Sequence, residues 1–180
     1  RGAGLLVGLA VLAKGPVAFV FVLLPLLVWR GLFGPKSGAR ARGAWIEALA
    51  WALIPPLAWA VAVVLREPDL ALDLFFRQHL GKAMDGTSHP SPFWYHLKVQ
   101  PLMLFPWTFA TVAALALAWR EWRARRAGRP ADEGLLFSAS WFIAMLVFFS
   151  LITEKRELYF VPVFPAAALL TARWLVRAVA

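Results

Sequence analysis

The sequence predicts an all-α fold, a polytopic transmembrane helical bundle, and three observations carry that expectation. Of its 180 residues 61% are hydrophobic and 16% charged, with 10 Trp and 14 Phe, which is more apolar surface than one soluble core of this size encloses. The apolar residues gather into runs near the roughly 20 residues a helix needs to cross about 30 Å of hydrocarbon. Lys and Arg concentrate in short segments between those runs, as loops kept on one side of a membrane do.

The expected helices cover about residues 3–13, 17–29, 44–65, 99–119, 135–152 and 158–179, in a single transmembrane domain with a long loop at 66–98. The first apolar stretch is broken at Ala13-Lys14-Gly15-Pro16, because Pro lacks a backbone donor and disfavours helix in the residue before it. Two short helices joined at Lys14 fit this better than one span. Pro55-Pro56 marks an expected kink in the run at 44–65. The run at 135–152 is almost uninterrupted, and the last carries Arg173 and Arg177 at its far end.

Charge then orients the bundle. The segments at 30–43 and 120–134, together with the C-terminal end, hold eleven Lys or Arg, which places them in the cytoplasm. By alternation Lys14, the 66–98 loop and residues 154–157 fall on the external side. That loop balances four basic against four acidic residues, as a translocated loop tolerates. Within it Asp69, Asp73 and Arg77 recur at four-residue spacing beside Leu70, Leu74 and Phe75, the pattern of an amphipathic helix lying in the interface. Residues 81–92 read as a turn-rich loop, and Phe93-Trp94-Tyr95 as an aromatic belt.

A net charge of +9 would point to nucleic acid in a soluble domain, but topology accounts for these basic residues, and no nucleic-acid partner is expected. Cys is absent, so neither a disulfide framework nor a thiolate metal site can form. The chain opens at Arg1 without Met or a signal sequence and reads as a piece of a longer polytopic protein.

Chemistry is expected where four ionisable residues, Glu154, Lys155, Arg156 and Glu157, stand between two apolar runs. Charge at a membrane boundary is either an anchor or a site. As an anchor, Lys155 and Arg156 snorkel beside the two glutamates and contribute little. As a site, they form a cradle for a lipid phosphate, since a fixed cation stabilises charge building on a leaving group. Tyr159 shares a helical face with Lys155 if the helix starts early. His79, His89 and His96 all fall in the outer loop, either as interfacial polar residues or, for His79 and His89, as ligands of a divalent metal ion with Asp85. Their spacing matches no established metal motif. Lys82 and Arg77 could hold a phosphate at the surface. Lys14, flanked only by apolar residues, either reaches headgroups or faces the same external cavity.

Four segments together, AKGP, the loop FFRQHLGKAMDGTSHPSPFWYH, LFPW, and TEKRELYFVPVFPAAALL, resemble the C-terminal half of the bacterial membrane transferases related to protein O-mannosyltransferases and to the lipid A aminoarabinose transferases. Lys155, Tyr159 and Pro162 match the spacing at which that family begins a late transmembrane helix. The resemblance implies a GT-C fold and inverting transfer of a sugar from a polyprenyl-phosphate carrier to a lipid, glycan or protein acceptor. It further implies a bacterial inner-membrane location with the site facing the periplasm or exterior. Under it His79 falls on a histidine of the family's outer loop, and Lys82 and Lys155 become holders of the carrier phosphate. The family's catalytic aspartate belongs to a first external loop, upstream of Arg1, so this stretch alone is expected to be inactive. A transporter or lipid flippase is the alternative, because interrupted helices also build substrate sites near the membrane midplane, although no internal repeat relates two halves of the chain.

Overall fold

In the computed structural model the described residues are 1–34, 39–69, 91–152 and 157–179, with the backbone alone described at 39–42 and 157–159. They form seven α-helices and one 3-10 helix: α1 (Gly2–Lys14), α2 (Val17–Phe33), α3 (Ala39–Arg66), α4 (Tyr95–Met103), α5 (Thr108–Arg126), α6 (Glu133–Leu151), the 3-10 helix Glu157–Val163, and α7 (Phe164–Val179). Among the described residues three helical stretches are long and apolar enough to cross a membrane, Gly43–Arg66, Glu133–Leu151 and Phe160–Val179. The pair α4 and α5 makes a fourth if counted as one bent span. The expected interfacial helix around Asp69, Asp73 and Arg77 lies largely outside the described residues. So does the turn-rich loop up to Pro90.

The run at 99–119, read from sequence as one straight span, is instead divided between α4 and α5, which are bent by 116° at residues 104–107. Pro101 inside α4 and Pro106 in the link each remove a helical donor, and the Thr108 hydroxyl donates to the Pro101 carbonyl at 2.5 Å across the corner. The Phe105-Pro106 peptide is cis. Pro55-Pro56, by contrast, does not end its helix, and α3 continues through it to Arg66.

Where the sequence suggested one domain, the described chain divides into two compact units. In the unit of Arg1–Leu23 and Pro35–Thr87, α1 lies on α3. Gly4 and Gly8, four apart on one face, are buried there. A Cβ added at Gly8 would stand 2.5 Å from the Ala52 carbonyl oxygen and 2.8 Å from Pro55 Cδ, and one at Gly4 would stand 2.8 Å from Trp51 Cβ. Small residues at this spacing let two helix backbones approach closely. The Ala52 carbonyl, which Pro56 cannot serve with an N–H, is the backbone atom that an added Cβ at Gly8 would meet. Just before α1, Arg1 Nε donates to Glu47 Oε1 of α3 at 2.5 Å.

In the unit of Leu24–Gly34 and Ser88–Ala180, α5, α6 and α7 pack around Ala114, Ala118, Leu135, Ala139 and Leu170. Alanines again allow close approach, and the buried hydroxyls of Thr111 and Thr171 meet at 3.2 Å between α5 and α7. Two of the basic segments that were expected to share one side of the membrane, 120–134 and the C-terminal end, meet at one end of this unit. There Asp132 caps α6 by accepting from Leu135 N at 2.9 Å and pairs with Arg173 at 2.5 Å, while its own N–H donates to Glu121 Oε2 at 2.9 Å. Glu121 in turn holds Arg177 at 2.5 Å. Arg125 joins the same end by pairing with Glu133 and donating to the Phe33 carbonyl at 2.6 Å, which ties α2 to α5. Gly134 leaves the space that the Arg173 guanidinium fills.

Asp132 thus serves three helices at once with its side chain 14% exposed. Asp132→Ala is expected to cost about 2 kcal/mol, from a lost helix cap and a partly buried charge left without its partner. Asp132→Asn keeps a capping acceptor and should cost less than half of that, a ranking that thermal unfolding in detergent would show.

Candidate functional site at the end opposite the basic cluster

At the other end of the second unit, α4, the last turn of α6 and the 3-10 helix converge on His96. This residue stands in the first turn of α4 and is 1% exposed. Its ring stacks on Phe160 at 5.6 Å and lies 5.9 Å from Phe149 and 5.3 Å from Tyr95. Phe160 also meets Phe142 edge-on at 6.5 Å. The sequence suggested His96 as an interfacial polar residue; it is a buried member of an aromatic cluster, because the 3-10 helix brings Phe160 over it.

The 3-10 helix has one buried edge. Phe160 and Val163, three apart, are both fully enclosed, as positions three apart eclipse in this geometry. Pro162 lies inside it and Pro165 in the first turn of α7, where a missing N–H is tolerated. The α-helix begins only at Phe164, so the four-residue α-helical spacing that would have placed Lys155 and Tyr159 on one face does not apply at Tyr159. Lys155 and Arg156 lie outside the described residues, as do His79, Lys82, His89, Asp85 and Arg77, and Tyr159 is described by its backbone alone. Lys14 is the described member of the expected set. It ends α1 as an exposed residue, just before Gly15, whose φ of 77° lets the chain turn while its N–H donates to the Val11 carbonyl at 2.7 Å. Lys14 belongs to the first unit.

What the described residues supply, then, is the frame on either side of the charged segment. Leu151 ends α6 before it, and the chain resumes after it at Glu157 in a 3-10 helix locked by an apolar aromatic cluster. Such a floor screens a neighbouring charge poorly, so a cation next to it acts more strongly on an anion than it would in water. Beside this end, a groove of about 460 Å³ runs between the α4–α5 corner and α7, lined by Phe105, Trp107, Thr111, Phe164 and Leu175 among others. Its walls suit an apolar chain. Among the described residues no group of three His, Cys, Asp or Glu could hold a metal ion.

The aromatic floor was not legible beforehand, since His96 and Phe160 are distant in sequence. The α4–α5 corner was signalled by two prolines within six residues, Pro101 and Pro106, and the α1–α3 contact by the GxxxG pattern at Gly4 and Gly8.

An all-α bundle with several membrane-crossing helices, one of them bent at an aromatic corner, defines an integral membrane protein, and its fold is that of a membrane transferase. The structure superimposes with a TM-score of 0.68 over 97% of the chain on the crystal structure of ArnT from Cupriavidus metallidurans bound to undecaprenyl phosphate, at 25% identity and covering 30% of that protein. In sequence the chain is similar to the undecaprenyl phosphate-alpha-4-amino-4-deoxy-L-arabinose arabinosyl transferases of Yersinia enterocolitica, at 32% identity over 95% of its length, and of Erwinia tasmaniensis, at 30% over 94%. The chain spans about 29% of the length of these curated relatives. No protein-family model matches it. The resemblance drawn from AKGP, LFPW and TEKRELYFVP to the GT-C transferases thus extends over almost the whole chain.

Proposed function

We propose that this chain is part of an inverting glycosyltransferase that moves a sugar from a polyprenyl-phosphate carrier to a lipid, glycan or protein acceptor. The observation that carries the proposal is the similarity, over nearly the entire chain, to transferases whose names specify an undecaprenyl-phosphate aminoarabinose donor. The location is the bacterial inner membrane, with the basic end of the second unit in the cytoplasm and the His96 end facing the periplasm. The clustering of Arg125, Arg173 and Arg177 with the 120–134 segment at one end supports this orientation.

In the transfer, the acceptor hydroxyl or amine attacks the anomeric carbon on the face opposite the carrier. The bond from that carbon to the phosphate oxygen breaks, and the phosphate leaves with the electron pair. Lys155 and Arg156 stabilise the charge that builds on it, with Lys82, His79, Lys14 and Tyr159 completing the phosphate contacts. A carboxylate must take the acceptor proton, and on the family pattern it is an aspartate outside this stretch. Because two cations supply the charge stabilisation, a divalent metal ion on His79 and His89 is a secondary cofactor proposal.

The test is transfer of aminoarabinose from undecaprenyl phosphate aminoarabinose radiolabelled in the sugar by the full-length protein in detergent, with and without EDTA. Transfer that survives EDTA supports the reading as stated, and transfer abolished by EDTA would make a divalent metal ion part of it, with His79→Ala and His89→Ala then testing the two proposed ligands. Absence of transfer with every polyprenyl-phosphate sugar, together with movement of an unmodified solute in vesicles, would replace it with the transporter alternative, which the breaks at Gly15-Pro16 and at the α4–α5 corner also fit.

A further inference from the structure

A second apolar groove, of about 660 Å³, opens along α6 between α2 and α5 within the second unit. On α6 it extends from Leu136 to Leu151, about 22 Å at the rise of an α-helix, and its walls are almost wholly apolar. At the basic end it runs into a pair of indoles, Trp119 and Trp122, whose rings lie 4.6 Å apart. The same two indoles, with Arg123, Arg126 and Ala127, line a smaller recess of about 310 Å³. Groove and recess therefore share a mouth.

The charge at that mouth is unbalanced. The acids of this end are occupied: Glu121 by Arg177, Asp132 by Arg173, and Glu133 by Arg125. Arg125 is also engaged with the Phe33 carbonyl and lies over the Phe33 ring at 5.6 Å. Arg123 and Arg126 are exposed, and neither is in an ion pair among the described residues. Arg126 is steadied over the Trp122 ring at 5.1 Å, and Trp119 is 59% exposed beside it. A wet positive pair, an aromatic girdle at headgroup level and a dry channel longer than the roughly 15 Å of one leaflet's hydrocarbon stand in the order in which a phospholipid presents phosphate, glycerol and acyl chain.

We propose that this corner binds an anionic phospholipid of the adjoining leaflet, with its phosphate between Arg123 and Arg126, its glycerol region against Trp119 and Trp122, and an acyl chain along α6. The site stands at the end of the unit opposite His96. Naming the leaflet as cytoplasmic rests on the orientation given under the proposed function; the binding chemistry does not.

The test is native mass spectrometry of the full-length protein released from micelles holding equal amounts of phosphatidylglycerol and phosphatidylcholine with the same acyl chains. The wild type is expected to retain phosphatidylglycerol about tenfold over phosphatidylcholine, R123A/R126A to lower that preference to about twofold, and Ile143→Trp, which narrows the groove, to lower retention of both lipids. Arg123 and Arg126 are exposed, so a melting temperature unchanged in R123A/R126A separates lost binding from lost fold. Equal retention of the two lipids by the wild type, no lipid retained, or a preference unaltered in R123A/R126A would each overturn the proposal. In intact spheroplasts Ala127→Cys, placed in a stretch without native cysteine, reports the leaflet through a membrane-impermeant maleimide. Labelling from outside intact spheroplasts would overturn the cytoplasmic leaflet and the orientation together while leaving the lipid preference to be read separately.

Discussion

Lys155→Ala in the full-length protein is expected to lower sugar transfer about 10²-fold, the usual consequence of removing one preorganised group aimed at developing negative charge, with the melting temperature unchanged. The effect should fall on kcat more than on KM, because the carrier's prenyl chain supplies ground-state binding that the substitution leaves alone, whereas the charge on the departing phosphate is largest in the transition state. The frame around Lys155 makes the expectation specific. Phe160, a few residues further on, is enclosed against His96, Phe149 and Phe142, which fixes the chain that follows Glu157. Transfer within about threefold of wild type would show that Lys155 is an anchor at the membrane boundary and no part of the site.

Gly8→Leu is expected to destabilise the first unit by about 2 kcal/mol, and the double substitution at Gly4 and Gly8 by more. A Cβ at Gly8 meets a backbone carbonyl and a proline ring, neither of which can rotate away, so α1 must move off α3 as a whole. Gly2 and Gly31 provide the control, since an added Cβ at either finds nothing within 4 Å. Gly2→Leu and Gly31→Leu should leave thermal unfolding in detergent within about 0.5 kcal/mol of wild type. If Gly8→Leu were equally silent, the close approach of α1 and α3 would not contribute to stability.

The membrane character, the break at Gly15-Pro16 and the meeting of the 120–134 and C-terminal basic segments at one end were legible because each is written locally, in run length, in a proline and in where Lys and Arg cluster. The bend between α4 and α5 was written locally too, in Pro101 and Pro106, but the apolar run across 99–119 outweighed them. At Pro55-Pro56, where a kink was expected, the chain stays helical through to Arg66. Composition could not place His96, since what buries it is a ring 64 positions away (96 to 160) brought over it by tertiary packing. Of the phosphate-binding residues expected from the sequence, the described residues include Lys14 and the backbone of Tyr159.

The 3-10 winding of residues 157–163 also sets a length. From Glu157 to Arg173 the chain climbs about 28 Å, combining roughly 2.0 Å per residue in the 3-10 stretch with 1.5 Å per residue in α7. An unbroken α-helix over the same residues would give about 24 Å, short of the roughly 30 Å of hydrocarbon between the two polar boundaries. The tighter, longer-pitched turn thus corrects a hydrophobic mismatch that would otherwise draw an ionisable group into the oil or thin the bilayer around it. With Arg173 held by Asp132 at one end, the stretched segment carries the chain further toward the opposite end of the unit at Glu157.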